Sequence, residues 1–179
     1  MRIFFTGAQG TGKSTLVKEL AKRHPELTVH DSMSKKFMDG DKDKQLTSEF
    51  QKRISLYCLN LYVNERNFIS SRSYFDSIAY PTYHLFHDKD NSIILDMVRT
   101  YEKLMFEDDC IYFYLPIEFE ISEGNNLLRI TDPHYQREID KIIRDEIEYI
   151  NQHYPGKVIT LHGSIEERLE EIENHLSKL

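Results

Sequence analysis

The stretch FFTGAQGTGKST, residues 4–15, decides the fold of this chain. Gly7, four further residues, Gly12, Lys13 and Ser14 stand at the spacing of a phosphate-binding P-loop. The glycines let successive backbone N–H groups turn toward one anion without a Cβ in the way. The helix that follows brings its unpaired N-terminal donors and positive dipole end to the same phosphates. Lys13 adds a point charge for the β- and γ-phosphates, and the Ser14 hydroxyl is the hard oxygen donor that Mg²⁺ prefers. A glycine-rich turn with a chance lysine is the bland alternative. It fits poorly, because RIFFTG reads as a buried strand and KSTLVKELAKR places Leu16, Val17, Leu20 and Ala21 at helical spacing. Gly7, Gln9, Gly10, Thr11, Gly12, Lys13, Ser14 and Thr15 are therefore the expected nucleotide-binding residues.

Working outward, 179 residues with 40% hydrophobic and 30% charged side chains fit one soluble globular domain over 1–179. A net charge of −7 argues mildly against a dedicated nucleic-acid surface, though a local basic channel stays open. No apolar run approaches the roughly 20 residues of a membrane span, and the N-terminus has no signal-peptide pattern. Cys58 and Cys110 fit neither a metal knuckle nor a redox pair and read as reduced core residues, as expected in the cytoplasm.

Strands and helices alternate along the chain. Strands are expected at 26–31, 67–71, 109–116 and 157–163, after the one that leads into the P-loop. The polar segment 32–46 reads as a mobile loop with at most one short helix. A long helix spans 47–66, with Ser48 and Gln51 as its capping box and Phe50, Ile54, Tyr57, Cys58, Leu61 and Tyr62 as its apolar stripe. The helical stretch from Asp76 should break or kink near Pro81. A further helix covers 91–106. Asp132 and Pro133 start a long one, and Ser164 with Glu167 caps the last. There is no internal repeat, low-complexity tract or linker.

This alternation implies a doubly wound parallel sheet whose ligands gather at the carboxyl ends of the strands. Those ends carry the P-loop, Asp31, Ser70 to Arg72, Pro116 to Glu118 and His162 to Ile165. Asp31 is the nearest acid to the phosphates, either a functional carboxylate or a surface aspartate in a turn. Arg72, at a strand end beside the loop, is placed to meet a phosphate or an acceptor.

The P-loop, together with ISSRSYFDSIAY (69–80) and DPHYQREIDKII (132–143), resembles the nucleoside and nucleotide kinase group. It is most similar to the nicotinamide riboside kinase-like branch and related small kinases of phage genomes. The resemblance implies the P-loop NTPase three-layer α/β fold, with a five-stranded parallel sheet in the order 2-3-1-4-5 and helices on both faces. It also implies an acid ending strand 2, here Asp31, and an arginine-bearing lid before strand 5, here at about 118–153. In the family an acid precedes the arginine after strand 3. Ser71 stands there in this chain, which leaves Asp31 or Asp76 to supply the carboxylate.

The lid segment carries Arg129 and Arg137 on either side of its helix start, with Gly124, Asn125 and Asn126 as a flexible turn. Phosphoryl transfer spreads charge over equatorial oxygens that a cis arginine can neutralise. A solvated face of Glu–Arg pairs is the alternative, and it is the reading taken for Arg144. His84, His87 and Asp88 lack a third distant ligand and read as an exposed helix end. DGDKDK (39–44) lacks the spacing of a Ca²⁺ loop. Phe37, Tyr74 and Tyr80 are aromatic rings able to stack a base.

The expected protein is an ATP- and Mg²⁺-dependent phosphotransferase acting on a nucleoside or nucleotide. Lys13, Asp31, Arg72, Arg129 and Arg137 carry catalysis, and Ser14 with Asp31 holds the metal. Two rivals are a kinase of a modified base in DNA, such as hydroxymethyluracil, and an NTPase that transfers phosphate only to water. Against the second, no apolar strand ends in two acids. A homodimer is compatible with the sequence, and no membrane partner is expected.

Overall fold

The computed structural model describes residues 1–178 except 32, 39, 86, 87, 108 and 120–129, and of Met33 and Lys42 the backbone alone. Five strands, β1 (Arg2–Thr6), β2 (Thr28–His30), β3 (Phe68–Ser70), β4 (Cys110–Tyr114) and β5 (Val158–Thr160), form one sheet in the order β2-β3-β1-β4-β5. Every pairing is parallel, with Phe4 level with Ser70 on one side and Tyr112 on the other. The expected order and polarity are both found.

The helices are α1 (Lys13–Arg23), α2 (Met33–Met38), α3 (Ser48–Asn64), α4 (Tyr74–His84), α5 (Asn91–Thr100), α6 (Glu102–Met105), α7 (Pro133–His153) and α8 (Ile165–Leu176), with a 3-10 helix at Lys42–Leu46. The period-two alternation of strand side chains divides them between the two faces of the sheet. Ile3 and Phe5 of β1 and Phe113 of β4 pack with Leu16, Val17 and Leu20 of α1 and Leu169 and Ile172 of α8. Phe4, Tyr112 and Tyr114 point the other way, into a larger core with Cys58 and Tyr62 of α3, Phe75 of α4 and Ile139 and Ile143 of α7. The result is helix, sheet, helix, in three layers.

Four local expectations are corrected. Thr47, not Ser48, caps α3 by accepting from the Phe50 N–H at 3.3 Å, because its extended backbone sits one residue before the first helical turn. Segment 32–46 holds two short helices rather than at most one; Asp41 caps the second by accepting from Asp43 N–H, and Met38 is buried. Pro81 does not break α4, whose residues Tyr74 to Pro81 are all buried, so packing on every side holds the helix through the missing donor. The single helix expected over 91–106 is two, parted at Tyr101, where ψ is 8°. Asp132 and the Ser164–Glu167 box cap α7 and α8 as expected.

His24 joins α1 to α8. Its N–H closes α1 on the Leu20 carbonyl, and its ring nitrogens lie 3.0 Å from Glu173 and 3.1 Å from Glu26. Burial opposes the imidazolium, but the hydrogen bonds to the two carboxylates outweigh it, and the pKa is raised above 6.5. That stability is fully present below pH 6.5 and is lost as pH rises through the folded-state pKa. His24→Gln should therefore lower stability by about 1 kcal/mol at acid pH and by less at alkaline pH, read from urea unfolding at both. An equal penalty at both pH values would assign the contact to packing alone.

Candidate active site

The carboxyl end of β1 turns at Gly7 into the P-loop. Gly7 has φ 146°, and a Cβ there would stand 2.4 Å from the Leu115 carbonyl oxygen and 2.9 Å from Thr11 Oγ1. Only glycine lets the loop enter this close to the end of β4. Gly7→Ala is expected to destabilise the protein by about 3 kcal/mol, measured by urea unfolding. A cost under about 0.5 kcal/mol would mean that the loop's entry relaxes freely. Gly10 (φ 87°) and Gly12 (φ 94°) follow in left-handed conformations. Gly12 then starts α1 by accepting from the Thr15 and Leu16 N–H groups.

Gln9 through Thr15 line one wall of a cleft. Ser34, Lys35 and Met38 of α2, with Gln45, form the facing wall, and Ser71, Arg72 and Ile130 close it. Lys13 folds onto the loop, donating from Nζ to the Gly7 carbonyl and, at 2.8 Å, to the Ala8 carbonyl. The Thr11 hydroxyl donates to the same Ala8 carbonyl at 2.9 Å and so braces the loop from within. Ser14 Oγ donates to Asp31 Oδ1 at 2.7 Å, which brings the two expected metal ligands together. A hydroxyl and a carboxylate are both hard oxygen donors, the set that suits Mg²⁺.

Arg72 lines the cleft from the end of β3. Its guanidinium donates to Asp76 Oδ1 at 2.9 Å and lies 5.1 Å from the centre of the Tyr80 ring. Burial works against that charge, but Tyr80 and Asp76 outweigh it and its pKa is raised. Asp76 is 1% exposed. Its Oδ2 accepts from Ser73 N–H and Oγ, at 3.1 and 3.0 Å, and from Thr6 Oγ1 at 3.3 Å. It is committed to capping α4 and orienting Arg72, so of the two carboxylates only Asp31 meets the P-loop serine. Ser71 is buried at the cleft, with its N–H bonded to the His30 carbonyl.

Other candidates fall elsewhere. Arg129 and the turn at Gly124 to Asn126 lie outside the described residues, as does His87. Arg137 is exposed on α7, beside the buried Gln136, and is not part of the cleft lining. Arg144 pairs with Asp140 at 3.1 Å. His84 is not exposed: it is 2% accessible and meets the Tyr135 hydroxyl at 3.0 Å. Tyr74 cannot stack a base, since it is fully buried and its hydroxyl is held by Glu102, Glu146 and Arg99. Tyr80 is buried beneath Arg72, and Phe37 packs edge-on to Tyr57. No group of three metal-ligating residues occurs among the described residues, and no described helix is long and apolar enough to cross a membrane.

Three side chains at the loop were not anticipated from sequence. Gln136 of α7 donates to the Gln9 carbonyl at 2.7 Å, and Arg168 of α8 donates to the Thr11 carbonyl at 3.2 Å. Asp140 of α7 accepts from the Tyr114 hydroxyl at 2.7 Å and feels the charge of Lys13; burial raises its pKa above the ordinary carboxylate value. The one available signal was an arginine beside the apolar positions Leu169 and Ile172 in an otherwise acidic helix.

A parallel 2-3-1-4-5 sheet with this loop after its central strand defines a P-loop nucleotide-binding fold. The chain belongs to the AAA domain family, which it matches over residues 2–168. Solved structures with the same fold include nucleoside and nucleotide kinases. Deoxyadenosine kinase of M. mycoides, with dCMP and dCDP bound, superposes with a TM-score of 0.71 at 17% identity over 99% of both chains. Thymidylate kinase of Candida albicans gives 0.65 at 16% identity, over 99% of this chain and 91% of that one. The NadR protein in complex with NR gives 0.68 at 14% identity, over 98% of this chain and 50% of the other. No curated protein matches the sequence.

Proposed function

We propose that this protein is an ATP- and Mg²⁺-dependent kinase that phosphorylates a nucleoside or nucleotide. The observation that carries this reading is the pairing of Ser14 with Asp31 at the P-loop, in a cleft lined also by Arg72 and by α2. Mg²⁺ held by Ser14 and Asp31 would neutralise charge on the transferring phosphate. Lys13 swings from its loop carbonyls to the phosphates, and the loop amides hold them in line. Asp31 takes the proton of the acceptor hydroxyl or orients it. Arg72, preset by Asp76, positions the acceptor. Arg137 supplies charge to the transition state from the second turn of α7. Arg137→Ala should then lower transfer far more than ATP affinity; equal losses would make it a ground-state contact, and no loss would place it outside the site.

A second reading, in which the acceptor is a modified base within DNA, is favoured by one observation. Lys36, Lys44 and Arg53 line a groove with Phe37 and Phe50, in which Glu49 pairs with Arg53 at 3.1 Å and leaves an excess of lysine charge, and Lys35 lines the cleft itself, in a chain of net charge −7. Incubation with labelled ATP and a panel of nucleosides, nucleotides and hydroxymethyluracil-containing DNA tests both. Label in a small molecule supports the first reading and label in DNA the second. Release of phosphate alone, with every acceptor, would leave an NTPase.

A further inference from the structure

Two buried donors from opposite faces of the sheet end on the backbone of the P-loop. Gln136 of α7 and Arg168 of α8 are each 3% exposed. Gln136 Nε2 reaches the Gln9 carbonyl at 2.7 Å, and Arg168 Nη1 reaches the Thr11 carbonyl at 3.2 Å while Nη2 pairs with Glu118 at 2.6 Å. In a trans peptide the carbonyl and the next N–H point in opposite directions. Drawing the Gln9 carbonyl toward α7 turns the Gly10 N–H away from it, and drawing the Thr11 carbonyl toward α8 does the same to the Gly12 N–H. Both glycines line the cleft, and among the described residues neither amide has an acceptor within the chain.

The need for such anchors follows from the glycines themselves. At φ 87° and 94° they hold conformations that a glycine leaves without steric penalty, and the bonds within the loop, from Thr11 and Lys13, end on the Gly7 and Ala8 carbonyls rather than on these two peptides. A flipped peptide would aim a carbonyl oxygen at the phosphates. We infer that Gln136 and Arg168 are positioning residues, which fix the Gly10 and Gly12 amides toward the polyphosphate and so set the loop's affinity for it. The inference rests on the reading of this loop as a nucleotide site and adds the two residues that orient it.

The test compares wild type, Gln136→Met and Arg168→Lys by calorimetric titration with ATP and with tripolyphosphate, and follows the glycine amides by NMR. Methionine keeps the volume of glutamine without its donor. Lysine keeps the charge that pairs with Glu118 but lacks the fork that also serves Thr11. Each variant is expected to raise Kd for both probes about tenfold, the loss of one oriented donor. The Gly10 signal should move or broaden in Gln136→Met and the Gly12 signal in Arg168→Lys. A role confined to docking α7 and α8 would lower the melting temperature and leave Kd and the glycine signals unchanged; that result overturns the inference. Wild-type protein that bound neither probe would overturn the nucleotide reading itself, and this inference with it. The two variants sit on different helices, so one remains informative if the other fails to fold.

Discussion

Lys13→Ala is expected to reduce phosphoryl transfer by roughly 10³-fold or more while the protein stays folded. Lys13 is the only cationic side chain between Gly7 and Thr15, so no neighbour in the loop can replace its charge on the β- and γ-phosphates. Its present contacts, to the Gly7 and Ala8 carbonyls, hold the ammonium beside the cleft that ATP would fill. Losing them removes hydrogen bonds at a partly solvated site, at a cost of about 1 kcal/mol, too little to unfold a domain with two well-filled cores. Transfer from labelled ATP, measured beside circular dichroism and melting, checks both halves. Near-wild-type turnover in a folded variant would remove the kinase reading.

Asp31→Asn should lower transfer by about 10³-fold and hardly alter stability. The amide oxygen can still accept from Ser14 Oγ, so the contact seen at 2.7 Å survives while the negative charge does not. A carboxylate that holds Mg²⁺ or takes the acceptor's proton cannot be replaced by a neutral amide. Titration of activity with Mg²⁺ separates the two roles: recovery at high Mg²⁺ marks a metal ligand, and a loss independent of Mg²⁺ marks a base. Full activity at ordinary Mg²⁺ would return Asp31 to the surface turn that its sequence context also allows.

What could be read in the sequence was local chemistry. The P-loop is legible because its function lies in consecutive backbone groups, and the residues that expose them are fixed in number and kind. That Asp31 lies beside the P-loop was reachable because a short strand ending in an acid has its carboxyl end at the ligand edge of a parallel sheet. Gln136 and Arg168 were not, since their partners lie 127 and 157 residues away in sequence and the partner atoms are carbonyls, which every residue has. The cap of α3 was misplaced by one residue because Thr47 and Ser48 are both capping residues, and only backbone geometry chooses between them. Pro81 misled for the opposite reason: its local preference is strong, and the unbroken burial of Tyr74 to Pro81 overrode it. The burial of His84 and Tyr74 likewise depends on helices α5 and α7, whose packing no local pattern reports.

Thr6, Ser73 and Arg72 all end on the single carboxylate of Asp76. The strand that delivers the P-loop and Arg72, the arginine proposed to position the acceptor, thus share one joint. On the proposed kinase reading, the spacing between donor phosphate and acceptor-binding cation is built into the scaffold, like the fixed jaw of a caliper. Acceptors of different length have to be met by the other jaw, the short helices of residues 33–46. Selection for a new acceptor would therefore be expected to change those helices first and to leave Asp76 untouched.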